Sequence, residues 1–150
     1  MRVHPALTLF GVLTLLVSGS LLALTAYLFS EEDYQPLPGS LRFYLGLSAL
    51  VRQAPFDLGT LPAYYGSIGD GNKPAQSQVS IQGPAAQAQA AWQDWERYLY
   101  QQGCSRTEAR VSGLSPLAAQ YLCRDQGLVV LERVTLPGDS AARVSLTHYE

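Results

Sequence analysis

Side chains that could act as general bases are scarce in this chain of 150 residues, which holds two histidines, His4 and His148. A Ser-His-acid hydrolase would need His148, because His4 lies before a long apolar segment and apart from the rest of the chain. No G-x-S-x-G nucleophile elbow precedes a predicted helix. The residues around His148 alternate as in a strand, which predicts a surface histidine. We therefore expect no catalytic residues and no enzyme.

The two cysteines, Cys104 and Cys123, are separated by 18 residues, so C-x-x-C spacing is absent. Zinc needs three or four ligands within reach, and one histidine with two cysteines falls short of a usual set. An even number of cysteines in an exported domain favours a disulfide instead. Closing this loop would constrain the unfolded chain by on the order of 3 kcal/mol. The sequence predicts the disulfide Cys104–Cys123 and no metal site.

The stretch Gly66–Lys73 (GSIGDGNK) superficially resembles a phosphate-binding loop. A P-loop requires Gly-Lys followed by Ser or Thr, whereas Asn72 intervenes here and Pro74 follows. The same stretch begins like a calcium loop, but the twelfth position brings no glutamate. Turn chemistry explains these residues, and we expect no cofactor.

The elements around these residues follow an uncharged stretch of 26 positions, Pro5–Ser30. As a helix, Ala6–Phe29 would extend ~36 Å, enough to cross a ~30 Å hydrocarbon core. The alternative is a cleavable signal peptide ending near Gly19, but Leu21–Phe29 would then leave an apolar tail on the mature protein. We therefore favour an uncleaved transmembrane anchor in contact with the lipid bilayer.

The flanking charges predict the orientation of this anchor. Arg2 precedes it and acidic residues follow it, and basic residues stay on the cytoplasmic side. This predicts a single-pass protein of a cell inner membrane whose C-terminal domain is periplasmic. The expected organisation is a cytoplasmic N-terminus at 1–5, the anchor at 6–29, a linker at 30–40 and an extracytoplasmic domain at 41–150.

Charge in the exported part argues against nucleic-acid binding. All twelve acidic residues and nine of the ten basic ones follow Ser30, and the basic ones are scattered from Arg42 to Arg143. A nucleic-acid surface needs clustered Lys and Arg. We expect no nucleic-acid partner.

An apolar helix is predicted from Leu41 to Gln53, with Ser40 as its N-cap. A helix that is apolar on most sides must be covered by the domain's own sheet, by a partner or by the membrane interface. The stretch 56–78 that follows shows no sustained period and is predicted as a long loop with two tyrosines. The candidate partner-binding residues of these two segments are Phe43, Leu47, Leu50, Tyr64 and Tyr65.

A second helix is predicted from Pro84, at its first position, to Gly103, which ends it. Its apolar stripe recurs at helical spacing and includes Trp92 and Trp95. Core packing of these indoles is the simpler interpretation, and stacking on a sugar is the alternative. Asp94 forms an i,i+3 pair with Arg97, whereas Asp94 and Glu96 point in different directions and cannot act as a carboxylate pair.

Short strands are predicted around and after this helix, and their alternation indicates an antiparallel sheet. With Cys104 at the helix end and Cys123 in a strand, the disulfide should join the two layers. The fold class is therefore α+β: an N-terminal transmembrane helix followed by a small helix-on-antiparallel-sheet domain with one disulfide. The predicted strands are 79–81, 106–112, 118–124, 128–136 and 143–149.

These features favour an interaction protein over an enzyme. We expect an accessory subunit, or an assembly or protective factor, of a membrane complex, with a membrane or envelope protein as its partner. The alternative is an exported module that binds a small ligand or a cell-envelope glycan.

Overall fold

A computed structural model describes residues 5–29, 33–55, 63–68, 75–107, 117–124, 127–137 and 141–149. The chain divides into two compact units, Met1–Glu32 and Asp33–Glu150. The first unit contains the helix α1 (Pro5–Phe29), which confirms the predicted apolar helix. Its segment Phe10–Tyr27 is long and apolar enough to cross a membrane, and none of that segment is buried.

In its described residues, the second unit combines three helices with seven strands. Its helices are α2 (Leu41–Gly46), α3 (Ala49–Arg52) and α4 (Ala85–Gln101). Its strands are β1 (Asp33–Tyr34), β2 (Ala63–Ile68), β3 (Gln76–Pro84), β4 (Cys104–Thr107), β5 (Ala118–Cys123), β6 (Gly127–Thr135) and β7 (Ala141–Tyr149). The predicted α+β class with an antiparallel sheet is confirmed.

The strands form one sheet in the order β1-β2-β3-β7-β6-β5-β4, and every neighbouring pair is antiparallel. After β3, α4 carries the chain to the far edge, where β4 begins. The strands β4 to β7 then return as a meander, and β7 pairs with β3 along nine residues. Helix α4 and the sheet thereby contribute to one hydrophobic core.

Helix α4 forms because the side chains that pack in or against the core recur every three or four residues, as in Ala88, Trp92, Trp95 and Leu99. Pro84 was predicted as the first residue of this helix; it is the N-cap instead, and the helix begins one residue later, at Ala85. Gly103, at φ 77°, adopts the left-handed conformation that allows the chain to leave the helix and enter β4 at once. The predicted Asp94–Arg97 ion pair is present at 2.9 Å on the exposed side.

The sheet has a helix-facing side and an open face. Tyr65, Val79 and Leu146 are opposite one another across β2, β3 and β7, and all three belong to the buried core. Strand residues alternate sides, so Tyr64, Ser80 and Ser145 lie on the other side. We call that second side the open face; Tyr64 on it is 52% exposed, whereas Ser145, nearer the middle of the sheet, is buried.

The predicted helix over Leu41–Gln53 is interrupted at Leu47–Ser48, which separates α2 from α3. The backbone N–H of Ser48 donates to Ser77 Oγ at 2.9 Å, and the Ser48 hydroxyl accepts from Val51 N. Serine at this position therefore caps a new helix instead of continuing the old one. Ser40 caps α2 as predicted, because its Oγ accepts from Phe43 N.

The predicted loop 56–78 contains the strand β2 and the beginning of β3. Gly66 and Ser67 interrupt the alternation of apolar and polar side chains in β2. The strand is therefore not evident from the sequence before its pairing with β3 is known. Strand β3 is also longer than the predicted 79–81. The predicted strand 106–112 begins earlier, at Cys104, and its residues 108–112 lie outside the described part of the chain.

Candidate functional site

The disulfide Cys104–Cys123 is present, but it does not join the helix layer to the sheet layer as predicted. Cys104 is the first residue of β4, and it pairs directly with Cys123 of β5. Only the two residues Gln102 and Gly103 separate α4 from β4, so the cysteine already belongs to the sheet. The bond therefore fastens the edge strand to its neighbour.

A polar cluster lies beside this disulfide and was not predicted. Tyr121, fully buried in β5, donates its hydroxyl to Glu96 Oε1 of α4 at 2.7 Å. Arg106 of β4 approaches the same carboxylate at 3.7 Å. Burial is the main cause that raises the pKa of the Tyr121 phenol, and the hydrogen bond to Glu96 and its negative charge add to it. This cluster joins α4 to the sheet with a satisfied polar contact.

His148 is buried, so the prediction of a surface histidine is wrong. It shares the helix-facing side with Leu146 and Val144, two and four positions earlier in β7. That spacing was the available signal, because residues two apart in a strand face the same way. Its neighbours across the sheet are Ser77 in β3 and Val129 in β6.

Ser77 and His148 face each other and are the two residue types that begin a nucleophilic triad. Both side chains are at most 5% exposed. Ser77 Oγ also accepts a hydrogen bond from Ser48 N, which ties it to the turn between α2 and α3. A buried hydroxyl that holds a turn in place is a structural group, and its burial does not suit a nucleophile that must meet a substrate.

The two indoles of α4 differ in their surroundings. Trp95 is fully buried, and its Nε1 donates to the carbonyl oxygen of Pro55 at 2.6 Å. Trp92 is half-buried and packs against the core. Trp95 is therefore a core residue with a satisfied N–H. In this structure it presents no face on which a sugar could stack.

Of the five candidate partner-binding residues, four lie in the core of the domain: Phe43, Leu47, Leu50 and Tyr65. The Phe43 ring packs edge-on against Tyr65, with centroids 4.9 Å apart, and so fastens α2 to β2. Burial raises the pKa of Tyr65 to about 12. The fifth candidate, Tyr64, is 52% exposed on the open face.

Other exposed apolar side chains on the open face are Ile68, Leu122 and Val134. Ile68 lies in β2 with Tyr64, four residues further along the strand. Because both have the same parity, they form an accessible apolar pair close to one edge of the sheet. Of the predicted binding residues a partner can reach Tyr64, and Ile68 adds a second exposed apolar side chain on the same face.

Metal and phosphate sites gain no support from the geometry. Among the residues that the structure describes, no group of three His, Cys, Asp or Glu side chains could hold a metal ion. Gly66–Ile68, which begins the phosphate-loop-like stretch, belongs to β2. Its continuation over 69–74 lies outside the described residues.

No protein-family model, no curated protein and no solved structure matches this chain.

Proposed function

We propose that this chain is a single-pass, membrane-anchored interaction protein that serves as an accessory subunit, or an assembly or protective factor, of a membrane complex. The observation that carries the proposal is the uncharged, mainly apolar helix α1, none of whose side chains over Phe10–Tyr27 is buried. The rest of the chain forms a separate domain with its own core. A helix that is apolar on all sides and left uncovered is unfavourable in water and suits a bilayer.

The proposed compartment is the periplasm or its equivalent outside the cytoplasm. The disulfide Cys104–Cys123 supports it, because oxidising compartments form and retain such bonds. The charge asymmetry around α1 supports the same orientation, with Arg2 inside and the acidic residues after Phe29 outside.

An interaction role fits the described side chains better than catalysis does. Among the described residues, the polar side chains that could take part in a reaction are either buried in structural contacts, as Ser77 and Tyr121 are, or exposed to solvent. The exposed side chains of Tyr64 and Ile68 lie on one face of β2, about 13 Å apart along the strand, and interfaces favour aromatic and apolar side chains of this kind. We propose this pair as the centre of the partner-binding surface.

The alternative, a module that binds a small ligand or an envelope glycan, would draw on Trp92, the less buried indole. Tryptophan fluorescence of the protein with added envelope fragments separates the two proposals. A saturable change in emission would favour the ligand-binding alternative. Unchanged emission favours the interaction protein, because the Trp95 indole is closed to solvent.

The partner-binding surface is tested by site-specific photocrosslinking in membranes. A photoreactive residue at Tyr64 should crosslink one membrane protein, whereas the same residue at exposed Gln93 on α4 should not. Equal crosslinking at both positions, or none at Tyr64, would contradict this surface. Variants at Leu47 or Tyr65 cannot serve here, because both side chains are buried and their loss would disturb the fold.

A further inference from the structure

An exposed apolar patch lies at the beginning of the domain, on and before α2. Leu37, Leu41, Tyr44 and Leu45 are 77%, 49%, 55% and 58% exposed. They lie within nine consecutive positions, whereas the other exposed large apolar side chains described after β1 are spread over β2, α4 and the strands that follow. Contiguous exposed apolar side chains mark a surface that something covers.

The domain holds this patch rigidly outward. Phe43 and Leu47 point into the core, and Phe43 packs edge-on against Tyr65 at 4.9 Å. Arg52 also donates from Nη1 to the carbonyl oxygen of Tyr44. Helix α2 therefore cannot turn to bury its outer side chains without giving up its core contacts.

Strand β1 places the patch close to the end of α1 along the chain. The Tyr34 hydroxyl lies where a Cβ on Gly46 would be, and the Arg42 guanidinium stacks over the Tyr34 ring at 5.2 Å. Helix α2 is therefore packed directly on β1. Three residues, 30–32, connect Phe29 to β1, so this connection spans at most ~14 Å.

We propose that the surface formed by Leu37, Leu41, Tyr44 and Leu45 inserts into the interfacial region of the bilayer that α1 crosses. The inference rests on the anchor of the proposed function. A connection of ~14 Å keeps the beginning of β1 within that distance of the end of α1, and the headgroup layer itself is about 5–8 Å thick. The segment from β1 to α2 therefore lies within reach of the lipid.

The chemistry of the patch fits a lipid interface better than a second protein surface. Leucine side chains enter the boundary of the acyl chains, and tyrosine is favoured at the level of the headgroups. The charged residues between Gly39 and Pro55 are Arg42 and Arg52, both with the sign that lipid phosphates attract.

The test uses full-length protein in single-copy nanodiscs of phosphatidylcholine that contains a spin-labelled quencher lipid. An environment-sensitive fluorophore is attached in separate variants at Leu41→Cys, Leu122→Cys and Leu16→Cys. Leu122 is the matched control, since it is 55% exposed and lies on the open face. The native cysteines are joined in the disulfide and do not take the label.

We expect lipid quenching at Leu41 to be at least threefold stronger than at Leu122, with strong quenching at Leu16. Quenching at Leu16 but no more at Leu41 than at Leu122 would overturn the inference and leave the anchor intact. A blue-shifted emission at Leu41 without lipid quenching would also overturn it, because protein would then cover the patch. Absence of quenching at Leu16 would overturn the anchor and the inference together.

Discussion

Trp95 and Tyr98 each carry a polar group from α4 into the interior, and each meets a backbone carbonyl near α3. The Trp95 indole donates to Pro55 O at 2.6 Å, and the Tyr98 hydroxyl donates to Leu50 O at 2.9 Å. Without such a donor, a buried carbonyl would give up its hydrogen bond to water on folding and gain none in return, which costs free energy. At the residue scale, these two contacts fasten the segment of α2 and α3 to the main helix.

Trp95→Phe should therefore destabilise the domain by about 2–3 kcal/mol, since it removes buried volume and leaves the Pro55 carbonyl without its donor. Trp92→Phe is the matched control on the same helix and should cost less than about 1 kcal/mol, because Trp92 is only half-buried. Urea unfolding of the full chain in detergent measures both. Equal losses in the two variants would contradict the packing described for α4.

The buried tyrosines predict sensitivity to alkaline pH. Burial raises the pKa of Tyr65 to about 12 and also raises the pKa of Tyr98. Above about pH 10 the unfolded chain loses phenolic protons that the folded chain keeps, so the free energy of unfolding falls as pH rises. Below that pH both the folded and the unfolded chain keep these protons, so the tyrosines add no pH dependence to the free energy of unfolding.

This is measured by urea unfolding between pH 8 and pH 11.5, with Tyr65→Phe as the variant and Tyr64→Phe as its exposed control. The Tyr65 variant should show a shallower loss of stability above about pH 10 than the control. Identical slopes would show that the Tyr65 phenol is not protected by the fold.

At the element scale, the meander depends on tight connections between its strands. Gly127 begins β6 with φ 87°, in the left-handed region that favours glycine, and a Cβ there would collide with the carbonyl oxygen of Tyr149. Both constraints act at the turn that aligns β5, β6 and β7. The register of the central strands therefore depends on this residue.

Gly127→Ala should cost about 2–4 kcal/mol, because the strained backbone and the collision with a main-chain atom add together. Gly66→Ala is the matched control in β2, where the nearest atom to a Cβ is Gln78 Oε1 at an ordinary 3.9 Å. The control should change stability by less than about 1 kcal/mol. Thermal unfolding of both variants checks this, and a larger loss at Gly66 would contradict the close contact described for Gly127.

The disulfide should act mainly on the edge of the sheet. Its cysteines are 19 positions apart, and replacing both by alanine should lower stability by about 2–4 kcal/mol. Because the bond fastens β4 to β5, hydrogen exchange should accelerate in β4 more than in the central strand β7. Uniform acceleration in both strands would be the contrary result.

The elements with a clear period were the ones that the sequence could predict. Helix α4, the capping serine at position 40 and the strands β5 to β7 all follow from local spacing and turn residues. The break at Ser48 could not be predicted, because it depends on a hydrogen bond to Ser77, 29 residues away in the chain. Strand β2 was missed for the same reason, since its pairing with β3 is what defines it.

The predicted binding residues show the limit of reasoning from hydrophobicity. An apolar side chain has the same character whether it packs inside a domain or against a partner. Phe43 and Tyr65 were grouped with Tyr64, yet the first two are packed against each other and the third is exposed. Only the three-dimensional neighbours separate these cases.

At the scale of the whole molecule, the chain combines an uncovered apolar helix with a domain that has its own core, and three residues connect them. Among the described residues after β1, exposed large apolar side chains are grouped before and on α2, and the others lie on the open face, on α4 and just before β5. Together with the uncovered α1, this distribution supports the proposed role of an anchored interaction protein.

Gentle detergent extraction of the full-length protein, followed by intact-mass spectrometry of everything that co-purifies, tests that claim most directly. We expect a protein that retains Met1–Ser30 and is recovered with a membrane protein in fixed stoichiometry. A protein that begins near Ser20 and is recovered alone in the soluble fraction would contradict it.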